Sequence, residues 1–282
     1  MNRRPQIALL ADGKRLHLQD GPIDLIVEAS GYQATVRAAY EAAARRFTGL
    51  LDELCAELMQ LRRAADPART VLKGVVARRM HAAVAPFAAD GFITPMAAVA
   101  GSVAEEILAA MTNAAKLDRA YVNNGGDIAF HLGEGAEYRI GLVDSPDRPS
   151  LFADAIVNSS DSVRGIATSG WRGRSFSLGI ADAVTVLARS ASTADAAATI
   201  IANAVDLPGH PNITRLPASD LQPDSDLGER LVTRGVGPLT HMEIVEALER
   251  GAARARELKH RGLIAACALH LAGRTRTVER AR

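Results

Sequence analysis

The chain has 282 residues, 48% of them hydrophobic and 23% charged, with a formal net charge of +1. That balance builds a real core and excludes disorder for the bulk of the chain, and so small a charge supplies no global field toward nucleic acid or membrane. The length is about twice that of a typical domain and admits one large bilobal unit or two intimate domains.

The start of the sequence, Met1-Asn-Arg-Arg-Pro5 followed only by the short apolar run Ile7 to Ala11, is too brief for a signal-peptide core. No run of about 18 apolar residues occurs that could cross a membrane as a helix. Two cysteines, Cys55 and Cys267, lie in apolar patterns that read as helical. They form neither a disulfide framework nor a metal spacing and are expected as buried free thiols, which places the protein in the cytoplasm.

Weak alternation at 15–19 and 23–27 predicts two short strands joined at Asp20-Gly-Pro22. From Ala34 to Ala64 apolar residues recur at three- and four-residue steps, predicting one long amphipathic helix stopped near Asp66-Pro67. Residues 68–90 read as helical, with Arg78, Arg79 and His81 on an exposed face. The small-residue stretch Pro95 to Gly101 leads into a helix that runs to about Asn113.

The period then switches to two. Strands are predicted at 120–123, 128–132 and 138–143, the first pair joined by an Asn124-Gly-Gly-Asp127 turn, and further strands at 165–168, 176–178 and 183–188. A helix begins at Ser192 or Thr193 and runs to about Val205. Residues 207–239 read as loop and 240–270 as helix. Nine Arg/Lys stand against three Glu from 249 to 282, and the last nine residues read as a frayed basic tail. The organisation expected is a single unit over 1–240, whose motif-bearing part is 95–205, and a helical segment with a basic tail over 241–282.

Three clusters place small residues and oxygens where a strand meets a turn or helix. In Asn123-Asn-Gly-Gly-Asp127 the glycines permit positive φ and close backbone approach, although an ordinary hairpin turn has the same look. In Ala167-Thr-Ser-Gly-Trp-Arg-Gly-Arg174 hydroxyls, glycines and two arginines can cradle a phosphate, or form a plain polar loop. In Ser192-Thr-Ala-Asp195-Ala-Ala-Ala-Thr199 the carboxylate and hydroxyl are four apart and share a helical face, as a Mg²⁺ site requires; Ser192-x-x-Asp195 equally matches a capping box.

In this order the clusters resemble the ApbE-like flavin transferase superfamily, whose enzymes cleave FAD with Mg²⁺ and attach FMN to a threonine or serine of a partner protein. The matching stretches are Ala98 to Glu105, Val122 to Ile128, Gly165 to Gly170, and Ala183 to Val186 with Ala194 to Thr199. The likeness is strongest to a cytoplasmic, functionally uncharacterised branch carrying Pro95-Met-Ala-Ala-Val-Ala-Gly101, Asn124-Gly-Gly-Asp127, Ala181-Asp-Ala-Val-Thr-Val186 and Ala194-Asp-Ala-Ala-Ala-Thr199.

The resemblance implies a bilobal α+β fold, an antiparallel sheet flanked by helices. It implies a cleft in which Gly101, Asn124, Gly125, Gly126, Asp127, Thr168, Ser169 and Gly170 bind FAD or FMN and Asp195 and Thr199 hold Mg²⁺. Two departures stand out. The transferases' Ala-Lys-Gly segment has Ala100 at the Lys position and Glu105 at the following Asp position, and their His-containing segment is replaced by Trp171 to Asp182, which has no His. Asp182 is the one added carboxylate and the candidate catalytic residue. The expected function is Mg²⁺-dependent binding or processing of a flavin nucleotide, with a protein acceptor and a homo-oligomer both admitted and neither nucleic acid nor membrane as partner. A non-catalytic flavin carrier, or an enzyme of another phosphorylated or pterin-like cofactor, would use the same cleft.

Overall fold

The computed structural model describes residues 5–68, 71–143 and 151–279. In chain order, β1 (Gln6–Leu9), β2 (Leu16–Asp20) and β3 (Ile23–Ser30) form a meander, followed by helices α1 (Gln33–Phe47), α2 (Leu50–Ala56), α3 (Leu58–Leu61), α4 (Val75–Val84) and α5 (Val99–Ala114). Then come β4 (Arg119–Asn124), β5 (Asp127–Leu132), β6 (Glu137–Val143), β7 (Leu151–Asn158), β8 (Gly165–Ser169), β9 (Ala183–Ala188) and α6 (Ala191–Ala204). The chain finishes with β10 (Ile213–Pro217), α7 (Ala218–Leu221), β11 (Leu231–Val236), α8 (His241–His260), β12 (Ala266–Leu271) and β13 (Arg274–Val278).

Nine strands build one sheet in the order β1-β2-β3-β4-β5-β8-β9-β12-β13, antiparallel at every step. This is the expected α+β architecture, an antiparallel sheet flanked by helices. One face carries two apolar clusters. Around α1 to α5 and β2 to β4 pack Leu18, Leu25, Phe47, Leu61, Met80, Ile107 and Met111. Around α6, α8, β9 and β12 pack Val184, Val186, Ile201, Leu248, Leu258 and Leu269. The opposite face holds Phe130, Leu132, Val157, Ile166 and Leu187, covered by the β6–β7 ribbon, with Tyr138 edge-on to Tyr121 and Phe130.

The two clusters meet where the sheet is weakest. β5 and β8 pair only at Ile128↔Ile166 and Ala129↔Gly165, and the strands part beyond that point. Two further glycines bring helices together here. A Cβ on Gly165 would lie 2.1 Å from the Ala191 amide nitrogen, and one on Gly101 would lie 2.3 Å from the Ala191 carbonyl oxygen. The first turns of α5 and α6 therefore pack backbone to backbone over β8.

Several expectations are corrected. The helix expected over 34–64 is three helices: Gly49 adopts a left-handed conformation (φ 85°) that separates α1 from α2, and Glu57 leaves helical geometry (φ −115°, ψ 11°) between α2 and α3. Among the described residues of 68–90 only Val75–Val84 is α-helical, continued by a short 3-10 turn at 85–87. Residues 176–178 are loop, and 207–239 carries β10, α7 and β11. The helix expected to 270 ends at His260. The basic end supplies β12 and β13, whose alternating Cys267, Leu269 and Leu271 against Ala268 and His270 fill a sheet strand. Cys55 is exposed on α2, and Cys267 is a buried strand residue whose thiol is pushed up by burial. No helix among the described residues is long and apolar enough to cross a membrane.

Candidate functional site

The turn at Asn124-Gly125-Gly126-Asp127 is a two-residue hairpin connection, Asn124 pairing with Asp127, and both glycines have positive φ (65° and 112°). Asn123 Oδ1 accepts the Gly126 N–H at 2.8 Å, and Asn124, nearly fully buried, donates from Nδ2 to the Ala100 carbonyl at 3.2 Å. The turn is thus fastened to the start of α5. Asp127 reaches across the parting strands and accepts the Thr168 N–H at Oδ1 (3.1 Å). That amide lies beyond the last β5–β8 pair, so a carboxylate replaces the missing ladder partner.

α6 explains the next residue. Its N-cap is Ser190, whose hydroxyl accepts the Thr193 N–H at 3.2 Å, so the Ser192-x-x-Asp195 capping box does not form. Asp195 turns instead to the neighbouring helix. Its Oδ2 accepts the Gly101 N–H at 3.0 Å, and the Ala100 N–H also donates to it. Glu105 of α5 returns the arrangement, Oε1 accepting the Ser192 N–H at 2.6 Å while Oε2 lies 3.3 Å from Arg79 Nε. Each helix therefore presents a carboxylate to the other's amino end, where free N–H groups and the macrodipole favour negative charge.

Eight of the fourteen residues of α6 are buried, six of them alanine, and two stripes are accessible. Thr193, Ile200 and Ala204 form one. Asp195, Thr199 and Asn203 form the other, roughly 120° round the helix by the 100° step per residue. The second stripe faces neighbouring elements of the molecule: Asp195 meets α5, and Asn203 accepts the Leu178 N–H at 2.9 Å. Between them the Thr199 hydroxyl makes no hydrogen bond among the described residues.

The electrostatics of the pair Asp127 and Asp195 follow from enclosure. Burial pushes the Asp127 carboxyl up to about 7, against the Thr168 N–H and the Arg174 charge, which lower it. Asp195 is raised well above the ordinary carboxylate range, first by burial and then by the Asp127 charge, with the Gly101 and Ala100 amides opposing and Glu105 adding to the rise. Neither forms an ion pair among the described residues.

The other expected residues are placed less simply. By strand alternation Ser169 shares the helix-side face with Ala167, whereas the Thr168 hydroxyl bonds Thr185 Oγ1 at 2.9 Å on the opposite face. Thr168 meets Asp127 through its main chain. Gly170 is required by packing, since a Cβ there would lie 2.4 Å from the Asp182 carbonyl oxygen.

Asp182, the candidate catalytic carboxylate, is fully engaged. Oδ1 accepts from Trp171 Nε1 (3.1 Å) and Arg172 Nε (2.6 Å), and Oδ2 from the Ala272 N–H (2.7 Å). With its side chain 11% exposed and both oxygens occupied, it ties the 170–182 loop to the β12–β13 turn instead of presenting a free base. Sequence reasoning missed Glu105 as a partner of α6 and treated Asp127 as a cofactor contact, not as the second of two interacting carboxylates. Arg78 and His81 bond the Lys73 and Asp66 carbonyls, while Arg79 lies in a part-buried network with Glu105, Glu106 and the Ser102 carbonyl.

The family model described as AbpE bacteria matches residues 7–277. A UPF0280 protein of Methanopyrus kandleri is 37% identical over 183 residues, 64% of this chain and 69% of that protein. UPF0280 proteins of Archaeoglobus fulgidus and Methanothrix thermoacetophila are 43% and 39% identical over 114 residues each, which span under half of either relative (45% and 46%). Among solved structures, the apo form of the flavinyl transferase ApbE of Pseudomonas stutzeri is similar over 99% of this chain and 95% of its own, with 13% identity and a TM-score of 0.45.

Proposed function

The chain belongs to the AbpE bacteria family, and from that premise and the geometry of the cleft we propose that it binds a flavin nucleotide, FAD or FMN, and processes it with Mg²⁺ in the cytoplasm. One observation carries this reading: Asp127 and Asp195 interact, both raised by burial and Asp195 further by the Asp127 charge, and neither forms an ion pair among the described residues. Enclosing two interacting carboxylates costs stability, and a divalent cation offsets that cost directly.

The donors fit a hard cation. Carboxylate oxygens of Asp195 and Asp127 and the unbonded Thr199 hydroxyl are all oxygen ligands, as Mg²⁺ prefers. No group of three or more His, Cys, Asp or Glu among the described residues forms a closed cage. Waters and ligand phosphates would therefore complete the shell, the usual Mg²⁺ arrangement at a nucleotide. When bound, the ion would neutralise negative charge on a pyrophosphate. The chain's own groups have defined tasks in this reading. The Gly125-Gly126 turn lets the ligand approach the main chain. Ser169 offers a hydroxyl on the same side, and Gly101, Ala100 and Thr168 hold the two carboxylates in place through their N–H groups.

A flavin carrier that performs no chemistry is the second reading, favoured by the occupied state of Asp182. Titration with FAD and Mg²⁺, followed by separation of products, tests both. Saturable FAD binding with release of AMP or FMN supports the enzyme, and binding without products supports the carrier. Absence of FAD and FMN binding at millimolar concentration overturns the proposal. Asp195→Asn is expected to abolish the Mg²⁺ dependence, whereas Ser190→Ala, which removes only the helix cap, retains it. Equal losses in the two variants would make Asp195 purely structural.

A further inference from the structure

The loop that replaces the expected His-containing segment carries two arginines with opposite circumstances. Arg172 is spoken for: its Nε lies 2.6 Å from Asp182 Oδ1, and its guanidinium stacks 4.6 Å above the Trp171 ring. Arg174, two residues on, is exposed and has no hydrogen-bond or ion-pair partner among the described residues. Its guanidinium is nevertheless placed, because its Nη2 end abuts the Asn-Gly-Gly turn and its charge acts on Asp127. A Cβ on Gly125 would fall 1.9 Å from Arg174 Nη2 and 3.0 Å from Cζ.

Gly125 has a φ of 65°, a left-handed turn position that Asn also tolerates, and a Cβ there would push the Arg174 side chain aside. Arg174, Gly125, Gly126, Asn123, Ile26 and Asp24 line a cleft of about 240 Å³. That is below the roughly 300–1,000 Å³ of pockets that enclose a whole drug-sized ligand, and suits one charged group of a larger molecule. The Asp24 carboxylate on its wall is already engaged, Oδ1 lying 3.1 Å from His17 Nε2.

We propose that Arg174 and the Asn123–Gly126 turn form an anion subsite that takes a phosphate or pyrophosphate group of the ligand. The planar guanidinium supplies paired N–H donors, and the side-chain-free turn lets the phosphate oxygens reach the main chain. Asp182 is the positioning residue of the subsite, since it accepts from Trp171 Nε1 and the Ala272 N–H and so ties down the loop that delivers Arg174. The assignment rests on this cleft being the ligand site of the proposed function, but its chemistry requires neither a flavin nor a metal.

The test is calorimetric titration with inorganic pyrophosphate at low salt with EDTA present. The intact protein is expected to bind, Arg174→Ala to bind about 10- to 100-fold more weakly, and Arg174→Lys to fall between. Arg172→Ala should stay within about twofold, because its charge is committed to Asp182. Asp24→Asn should bind more tightly. The proposal is overturned if the intact protein ignores millimolar pyrophosphate, if Arg174→Ala binds like the intact protein, or if Arg172→Ala loses as much. Pyrophosphate binding that depends on Arg174, in a protein inert to FAD and FMN, would uphold the subsite while refuting the flavin reading.

Discussion

Neutralising Asp127 should stabilise the protein above neutral pH, because its burial holds protons in the folded state that the unfolded chain has already released. The folded carboxyl titrates at about 7 against an ordinary value of 3.8. Between those values the native state binds more protons than the unfolded state, so stability declines as pH rises through that window. A shift of this size corresponds by linkage to about 4 kcal/mol for an isolated group. Partial exposure and the share carried by Asp195 reduce the expected effect to about 1–3 kcal/mol. Asp127→Asn retains an oxygen for the Thr168 N–H while removing the charge. Urea denaturation with EDTA should therefore show the variant more stable at pH 8, with the difference shrinking toward pH 5. Saturating Mg²⁺ should stabilise the unmodified protein at pH 8 and the variant much less. Identical pH profiles for the two proteins would refute the argument that enclosure of this carboxylate dominates its energetics.

Gly101→Ala places a methyl 2.3 Å from the Ala191 carbonyl, so α5 and α6 must separate and strain both interhelical carboxylate contacts; a loss of about 3–5 kcal/mol in urea denaturation is expected. Gly135→Ala, with φ 74° and open space around it, is the control and should lose only about 1–2 kcal/mol. Glu105→Ala leaves the Ser192 N–H without an acceptor and Arg79 with one fewer carboxylate, costing about 2–3 kcal/mol on the same measurement. Asp182→Asn sets an amide donor against at least one of three existing donors. Hydrogen exchange should accelerate at 170–175 and around Ala272, and unchanged protection there would show that Asp182 does not hold the loop.

What the sequence discloses about this site depends on how far apart the interacting atoms lie along the chain. The Asn124–Asp127 turn is written locally, since two glycines between alternating strands leave few other conformations, and it forms where expected. The i, i+4 relation of Asp195 and Thr199 is local too, and it places both on one of the two accessible stripes of the helix. Ser192-x-x-Asp195 misled for the same reason. A capping box is a local pattern, and Ser190, one step outside the helix, satisfied the cap first. The partner that claimed Asp195 lies 94 residues earlier in the chain, and Glu105 and Ser192 are 87 apart. No spacing rule spans such distances. The traces left in the sequence are Gly101 and Gly165, whose missing side chains let two helix starts touch. Likewise β12 read as the end of a helix because its alternation is short and alanine-rich, and β13 as a frayed tail; pairing of β12 with β9 and of β13 with β12 decided the outcome. Function is illegible at the same step. Arg172 and Arg174 are equivalent by composition, and only the folded loop separates them, with Asp182 on one arginine and Gly125 beside the other, whose guanidinium has no hydrogen-bond partner among the described residues.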